Sequence, residues 1–323
     1  MQRPKVLVTR KWPDAIEAIL TKDFDSTLNH QDHPLTPKKL KDALGHFDAI
    51  LSTVTDPLST DIFKTRPIRT KIIGNFGVGF NHIDIQSAQD QGICVTNTPD
   101  ILTDCTADIA MMLILMSARR GTEGDRQIRQ KKWHGWSPTH MLGQKVTGKT
   151  LGLIGFGRIA QATAYKAHFG FNMKIIFYNT SPVPINLTQP VKAHSCNSID
   201  AVLETADFIS IHCPGSPQNH HLLNENRLKL LHPKAHLINT ARGSIIDTKA
   251  LITALSNNWF AGAGLDVFEN EPSIEPELLG LDNVTLLPHL GSATEETRNA
   301  MGLRVIENIK EFFSGQTPRD LIR

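Results

Sequence analysis

Leu151-Gly-Leu-Ile-Gly-Phe-Gly-Arg-Ile-Ala160 decides the fold. It reads as a short apolar strand, a tight glycine turn and the start of an Ala-rich helix. The pattern is G-x-G-x-x-A, carried by Gly155, Gly157 and Ala160. Gly155 permits the sharp turn, Gly157 lets a pyrophosphate approach bare backbone, and Ala160 lets the helix lie close to the strand. A helix opening at Arg158 and Ile159 points free N–H groups and its positive dipole end at the phosphates. Such a match is weak alone. Here it follows the apolar run Lys149–Ile154 and precedes a helical run from Ile159 to Phe169, the context a dinucleotide turn requires. An unrelated glycine turn is the weaker reading.

Beyond that turn, apolar runs at Lys174–Tyr178, Phe208–Cys213, His236–Asn239, Ala261–Val267 and Val284–Leu287 read as successive strands. Helical patterns over Ser198–Ala206, Asn224–Leu231 and Asp247–Ser256 fall between them. Strands alternating with helices imply parallel βαβ units. Before the turn the same alternation appears on a smaller scale. Strands are expected at Lys5–Thr9, Asp48–Ser52, Lys71–Phe76 and Ile93–Thr96. A helix is expected over Asp14–Leu20, and another runs from Thr36-Pro37 to a stop at Gly45. The fold class is therefore α/β: a small α/β domain before the turn and a doubly wound, Rossmann dinucleotide-binding domain after it.

Asn97-Thr-Pro99 breaks the pattern and reads as a hinge. A long helix, Thr103–Arg120, is apolar on most sides and reads as buried between layers. The polar segment 121–148, with Trp133 and Trp136, reads as an arm or lid. A final amphipathic helix over Thr294–Phe313 has Met301, Val305, Ile309 and Phe312 on one face, with Ser292 and Glu295 as a capping box. The expected domains are 1–98 with 291–323, and 99–290 carrying the arm.

Charge and cysteine content exclude several classes. A net charge of +2 gives no drive toward nucleic acid or membrane. The four cysteines lie apart without a C-x-x-C pair, which suits reduced thiols and offers neither a disulfide nor a zinc framework, so no metal is expected. The chain enters its first strand with no signal-peptide core, and its longest apolar run, Ile109–Met116, is too short to span a bilayer. A cytoplasmic location is expected.

Cofactor choice rests on the end of the second Rossmann strand. An acid there normally accepts the ribose hydroxyls of NAD. Asn179 stands in its place, and no Asp or Glu occurs from Arg126 to Ile199, a span holding ten Lys or Arg. A missing carboxylate removes repulsion of a 2′-phosphate, and Asn179, Thr180 and Ser181 offer donors to it. NADP(H) is favoured, with NAD(H) the alternative because the loop lacks the usual arginine; Lys192 or Arg158 stands in.

Three residues at strand ends carry the chemistry: Arg242 in Thr240-Ala-Arg-Gly243, Glu271 in Glu269-Asn-Glu-Pro272, and His289 in Pro288-His-Leu-Gly-Ser-Ala-Thr294. All three should face the crevice at the carboxyl ends of the strands. Reduction of a 2-oxo acid needs a cation with a bidentate fork for the carboxylate, which Arg supplies. It needs a proton donor for the developing alkoxide, which His supplies. A carboxylate that orients the imidazole completes the set. In the first domain, the loops Ser52–Asp56 and Phe76–Asp84 lie at strand ends. Ser52 and Thr53 mark one, and the N–H groups of Val78 and Gly79 make the other either a cradle for a small anion or a plain glycine turn.

The chain resembles the D-isomer-specific 2-hydroxyacid dehydrogenase family, essentially from end to end, and within it most nearly the glyoxylate/hydroxypyruvate reductases. The resemblance rests on Gly77–Asp84, Asn97–Asp104, Trp133-His-Gly-Trp136, Gly148–Ile159, Asn239–Gly243, Leu265–Pro272 and Pro288–Thr294. It implies His289 as general acid, Glu271 rather than Glu269 as its partner, and Arg242 on the substrate carboxylate with backbone help from Val78 and Gly79. It implies a cofactor cleft lined by Thr106, Arg158, Ile159, Cys213, Pro214, Thr240, Ala241, His289 and Gly291, with Asp266 on the nicotinamide carboxamide. It also implies two doubly wound parallel-sheet domains, a flavodoxin-like substrate-binding domain plus the Rossmann domain, and a homodimer with Trp133 and Trp136 near the interface. The expected function is hydride transfer from NAD(P)H to a short 2-oxo acid such as glyoxylate or hydroxypyruvate. A 2-ketogluconate reductase or other D-2-hydroxyacid dehydrogenase is the alternative within enzymes, and a dinucleotide-sensing regulator the alternative outside them.

Overall fold

Among the described residues the chain forms twelve strands, most of them short runs carrying Ile, Leu or Val, and every pairing between them is parallel. The computed structural model describes residues 3–323. The chain divides into two units, Met1–Leu102 with Ala293–Arg323, and Thr103–Ser292. These divisions fall four and two residues beyond the expected boundaries.

In the first unit the strands are β1 (Lys5–Val8), β2 (Asp25–Thr27), β3 (Ala49–Ser52), β4 (Ile72–Asn75) and β5 (Cys94–Thr96), ordered β2-β1-β3-β4-β5. That is the flavodoxin-like order. Both β3 and β4 are buried along their whole length, as a parallel sheet with covered faces requires. The Glu295–Phe313 helix packs on β4, with Val305 and Ile309 fully buried. Each such burial contributes about 1.5–3 kcal/mol. Two glycines make the approach possible: a Cβ on Gly74 would lie 2.6 Å from Val305, and one on Gly302 would lie 2.7 Å from Ile16. Past this helix, Leu321 bridges to Thr96, which ties the chain end to the edge of β5.

The second unit contains β6 (Thr150–Ile154), β7 (Lys174–Tyr178), β8 (His194–Ser195), β9 (Phe208–Ile211), β10 (His236–Asn239), β11 (Gly262–Leu265) and β12 (Val284–Leu286). Their order, β12-β11-β10-β9-β6-β7-β8, is the doubly wound Rossmann order with one further strand. It reverses between β6 and β9, so the ligand crevice lies at their carboxyl ends. The long helix is Thr103–Ala118, and it packs on the Arg158–Phe171 helix and on β10 and β11.

Local corrections have physical causes. The capping box at Ser292 is not used: the last helix starts at Glu295, and the Thr294 side chain accepts from Thr297 N–H. The Thr36 cap forms as expected, but that helix runs through Gly45 to His46. The polar segment 121–148 begins with an unforeseen helix, Gly121–Arg129. None of its residues is buried, so it carries no apolar stripe to read. The short edge strands β2 and β8 were equally unreadable, being polar. Among the described residues, no helix is long and apolar enough to cross a membrane.

Two histidines in the second unit are held neutral by burial. His236, on β10, is 4% exposed and pairs through Nδ1 with Ser117 Oγ at 2.7 Å. His212, just past β9, pairs through Nε2 with Ser210 Oγ at 2.9 Å. Burial pushes both imidazoles from 6.5 down to about 4. The unfolded chain therefore takes up these protons first as pH falls. The stability they contribute is complete above pH 6.5 and lost between about 6.5 and 4, by up to about 3 kcal/mol per group. Urea unfolding followed from pH 7 to 4.5 should show this loss. His236→Gln should flatten the slope relative to wild type, and an unchanged slope would remove His236 as its source.

Candidate functional site

At four strand ends an Asn or Asp side chain braces the turn that bears the candidate residues. Such side chains bond readily to nearby backbone and so favour turns. Asn75, ending β4, donates through Nδ2 to the carbonyls of Gly77 and Gly79, both at 3.0 Å. Asn179, one residue past β7, accepts from Phe156 N–H at 3.0 Å and donates to Ser181 O at 2.8 Å. Asn239, ending β10, accepts from Ala241 N–H at 3.0 Å and donates to Arg242 O at 2.9 Å. Asp266, one residue past β11, accepts from the N–H groups of Leu290 at 2.6 Å and Gly291 at 2.8 Å.

The glycine turn has the form its spacing requires. Gly155 takes φ +90°, and a Cβ there would press on His212 and Cys213 backbone at 3.0 Å. Gly157 is the N-cap of the Arg158–Phe171 helix, with no side-chain cap and no acid in the first turn. A Cβ on Gly157 would meet nothing within 4 Å. Thr240 Oγ1 is buried with no partner among the described residues. An open glycine, an uncapped helix start and an orphaned hydroxyl fit a dinucleotide, which Gly155, Gly157, Arg158, Ile159 and Thr240 could hold.

Asn179 differs from expectation. One of its donors and its oxygen are already committed to the turn, so it braces the glycine loop rather than standing free. Thr180 and Ser181 beside it are exposed. Cys213 and Pro214 follow β9, and burial pushes the Cys213 thiol up to about 11, which leaves it a neutral lining group.

Arg242, Glu271 and His289 all lie on the second unit. His289 Nδ1 is 2.8 Å from Glu271 Oε2, so Glu271 and not Glu269 is its partner. The other Glu271 oxygen accepts from Phe268 N–H at 2.9 Å. Burial alone would raise the Glu271 carboxyl. The His289 hydrogen bond and charge, the Phe268 N–H and the Arg242 charge outweigh it and hold the group ionised. His289 sits at φ +57°, a conformation His tolerates better than most side chains. The loop is pinned there by Asp266, whose backbone carbonyl accepts from His289 N–H at 2.9 Å. Thr106 completes the clamp, its hydroxyl donating to Gly291 O at 2.9 Å. Asp266 is 1% exposed, and both its oxygens serve this loop, a task the sequence did not reveal.

Arg242 is positioned by two further glycines. A Cβ on Gly215 would lie 2.6 Å from the Arg242 Cγ, so that glycine makes room for the arginine stem. A Cβ on Gly243 would lie 1.9 Å from the Phe268 carbonyl carbon, so the Arg242 turn rests directly on the segment leading to Glu271. Burial lowers the Arg242 pKa and the Glu271 charge opposes that; the group stays cationic.

The first-unit loops have their own geometry. Ser52 is buried, and its hydroxyl has no partner among the described residues. The Thr53 N–H donates to the buried Asp56 carboxylate at 2.7 Å. Bracing by Asn75 draws in the carbonyls of Gly77 and Gly79 and leaves the N–H groups of Val78 and Gly79 without a partner among the described residues. On the arm, Trp133 and Trp136 are 51% and 83% exposed, so neither is a core aromatic.

A Rossmann unit with a glycine turn, a half-buried arginine and a carboxylate-paired histidine is that of a dinucleotide-dependent oxidoreductase. The family model for the NAD-binding domain of D-isomer specific 2-hydroxyacid dehydrogenases matches residues 111–291. The glyoxylate reductase of Thermococcus litoralis is 42% identical over 99% of this chain and 97% of its own. An NADPH-dependent glyoxylate/hydroxypyruvate reductase from Sinorhizobium meliloti, crystallised with NADP and malonate, superposes with a TM-score of 0.88 at 33% identity. That match covers 99% of this chain and 97% of the other. A glyoxylate reductase from Paecilomyes thermophila gives 0.87 at 29% identity, covering 100% and 99% of the two chains. The chain belongs to the D-isomer-specific 2-hydroxyacid dehydrogenase family.

Proposed function

We propose that the protein reduces glyoxylate, hydroxypyruvate or a similarly short 2-oxo acid with NADPH, giving the 2-hydroxy acid. The observation that carries this reading is the His289–Glu271 pair with a half-buried Arg242 whose charge acts on Glu271, on a chain similar over its whole length to glyoxylate reductases. When bound, the dinucleotide supplies a hydride to the carbonyl carbon. Arg242 offers its guanidinium to the substrate carboxylate and carbonyl oxygen. With Nδ1 on Glu271, His289 carries the transferable proton on Nε2 and delivers it to the developing alkoxide. Glu271 stays ionised and compensates the imidazolium. The free N–H groups after β4 support assigning Val78 and Gly79 to the substrate carboxylate. The exposed Trp133 and Trp136 support a homodimer with the arm at its interface.

NADPH is preferred here because no carboxylate stands at the end of β7, where exposed Thr180 and Ser181 face solvent. Reduction of glyoxylate and hydroxypyruvate, each with NADPH and NADH in parallel, tests substrate and cofactor together. Turnover with NADPH is expected to dominate, and activity with NADH alone would overturn the cofactor assignment. Asn179→Asp keeps the acceptor for Phe156 N–H while adding a charge. It should shift the NADPH-to-NADH ratio of kcat/KM about tenfold toward NADH. An unchanged ratio would show that this loop does not read the 2′-position.

A further inference from the structure

His220 and His221 are consecutive, and consecutive side chains in an extended chain point to opposite faces. Here they do not. His221 takes φ +50°, its N–H fixed on Ser244 O at 2.9 Å, and the reversal stacks the two imidazoles at 4.0 Å between centroids, 27° from parallel. Both rings turn Nε2 toward one oxygen, Glu269 Oε1, from His221 at 2.6 Å and from His220 at 3.9 Å. Glu269 lies beyond β11, 48 positions further along the chain than His221. The catalytic pairing uses Glu271 and leaves Glu269 aside.

We propose that His220, His221 and Glu269 form a binding site for a divalent transition-metal ion of the zinc class. Two imidazole nitrogens and one carboxylate oxygen lie within 4.8 Å of one another. Bonds of about 2.0–2.2 Å in tetrahedral geometry put ligand atoms roughly 3.3–3.5 Å apart. The observed 2.6 and 3.9 Å straddle that spacing, so small side-chain rotations seat an ion. The supporting contacts are those such a site uses. Glu269 keeps its other oxygen on Thr248 Oγ1 at 2.8 Å, and His221 Nδ1 stands 3.9 Å from Asp247 Oδ2, a carboxylate placed to orient the ring. His220 is about half exposed, so the fourth position opens to water. Two imidazole nitrogens with a carboxylate oxygen suit Zn²⁺, Ni²⁺ or Cu²⁺ and not Mg²⁺ or Ca²⁺.

The test is calorimetric titration of the untagged, full-length protein with ZnCl2, repeated on His220→Ala, His221→Ala, Glu269→Gln and His289→Ala. One ion per chain is expected. Each of the first three substitutions should weaken it at least about tenfold, and His289→Ala should leave it intact. Circular dichroism of each variant confirms that it is folded. Zn²⁺ should also raise the unfolding temperature of wild type and not of His220→Ala. No stoichiometric binding by wild type overturns the proposal. So does binding that survives in both histidine variants, or binding lost instead in His289→Ala.

Discussion

His289→Ala is expected to lower kcat for 2-oxo acid reduction by about 10²–10⁴-fold, the usual contribution of a general acid. That corresponds to about 3–5 kcal/mol of transition-state stabilisation. The dissociation constant for the dinucleotide should stay close to wild type, because the glycine turn proposed to hold its phosphates, Gly155–Arg158, contains no part of the His289 loop. Glu271→Gln should cost less, since an amide still accepts a hydrogen bond from Nδ1 but no longer carries the compensating charge. Steady-state kinetics with fluorescence titration of NADPH separates the two quantities. Retained turnover in His289→Ala would refute the assignment of the proton donor. Full biological activity of that variant, with no turnover, would point to the sensing role instead.

Gly243→Ala is expected to be the most damaging single methyl group in the second unit. The added Cβ would meet the Phe268 carbonyl carbon at 1.9 Å and Glu269 N at 2.2 Å. These are backbone atoms and have no rotamer to escape into. Overpacking of this kind costs about 3 kcal/mol or more, which lowers the unfolding temperature by about 6–12 °C in a unit of this size. Because the displaced strands of chain carry Arg242 on one side and Glu271 on the other, kcat/KM should fall as well. Gly157→Ala is the contrast: its Cβ would meet nothing within 4 Å, so stability should hold while dinucleotide affinity falls. Calorimetric unfolding of the two variants beside NADPH titration measures both effects. Equal stability of Gly243→Ala and wild type would contradict the packing described here.

The strand and helix plan was written in local pattern. Parallel strands covered on both faces are mostly apolar, so β3, β4, β6, β9 and β10 stood out, and the glycine turn marked where the Rossmann order begins. Elements without such a signal were hidden: the polar edge strands β2 and β8, and the exposed Gly121–Arg129 helix. Glu271 was separable from Glu269 only through family resemblance, because both follow the same strand. The structure separates them by partner, His289 for one and His221 for the other.

By itself, then, the sequence determined the fold class, the glycine turn and the candidate side chains proposed to react, since each depends on residue type within a few positions. Tertiary structure decided what holds them. The Asp266 carboxylate on the N–H groups of Leu290 and Gly291, Gly243 against Phe268, and Glu269 beside two stacked histidines join residues about 25 to 50 positions apart. No local period records such contacts, because they arise only when parallel strands stack their carboxyl ends along one edge of the sheet.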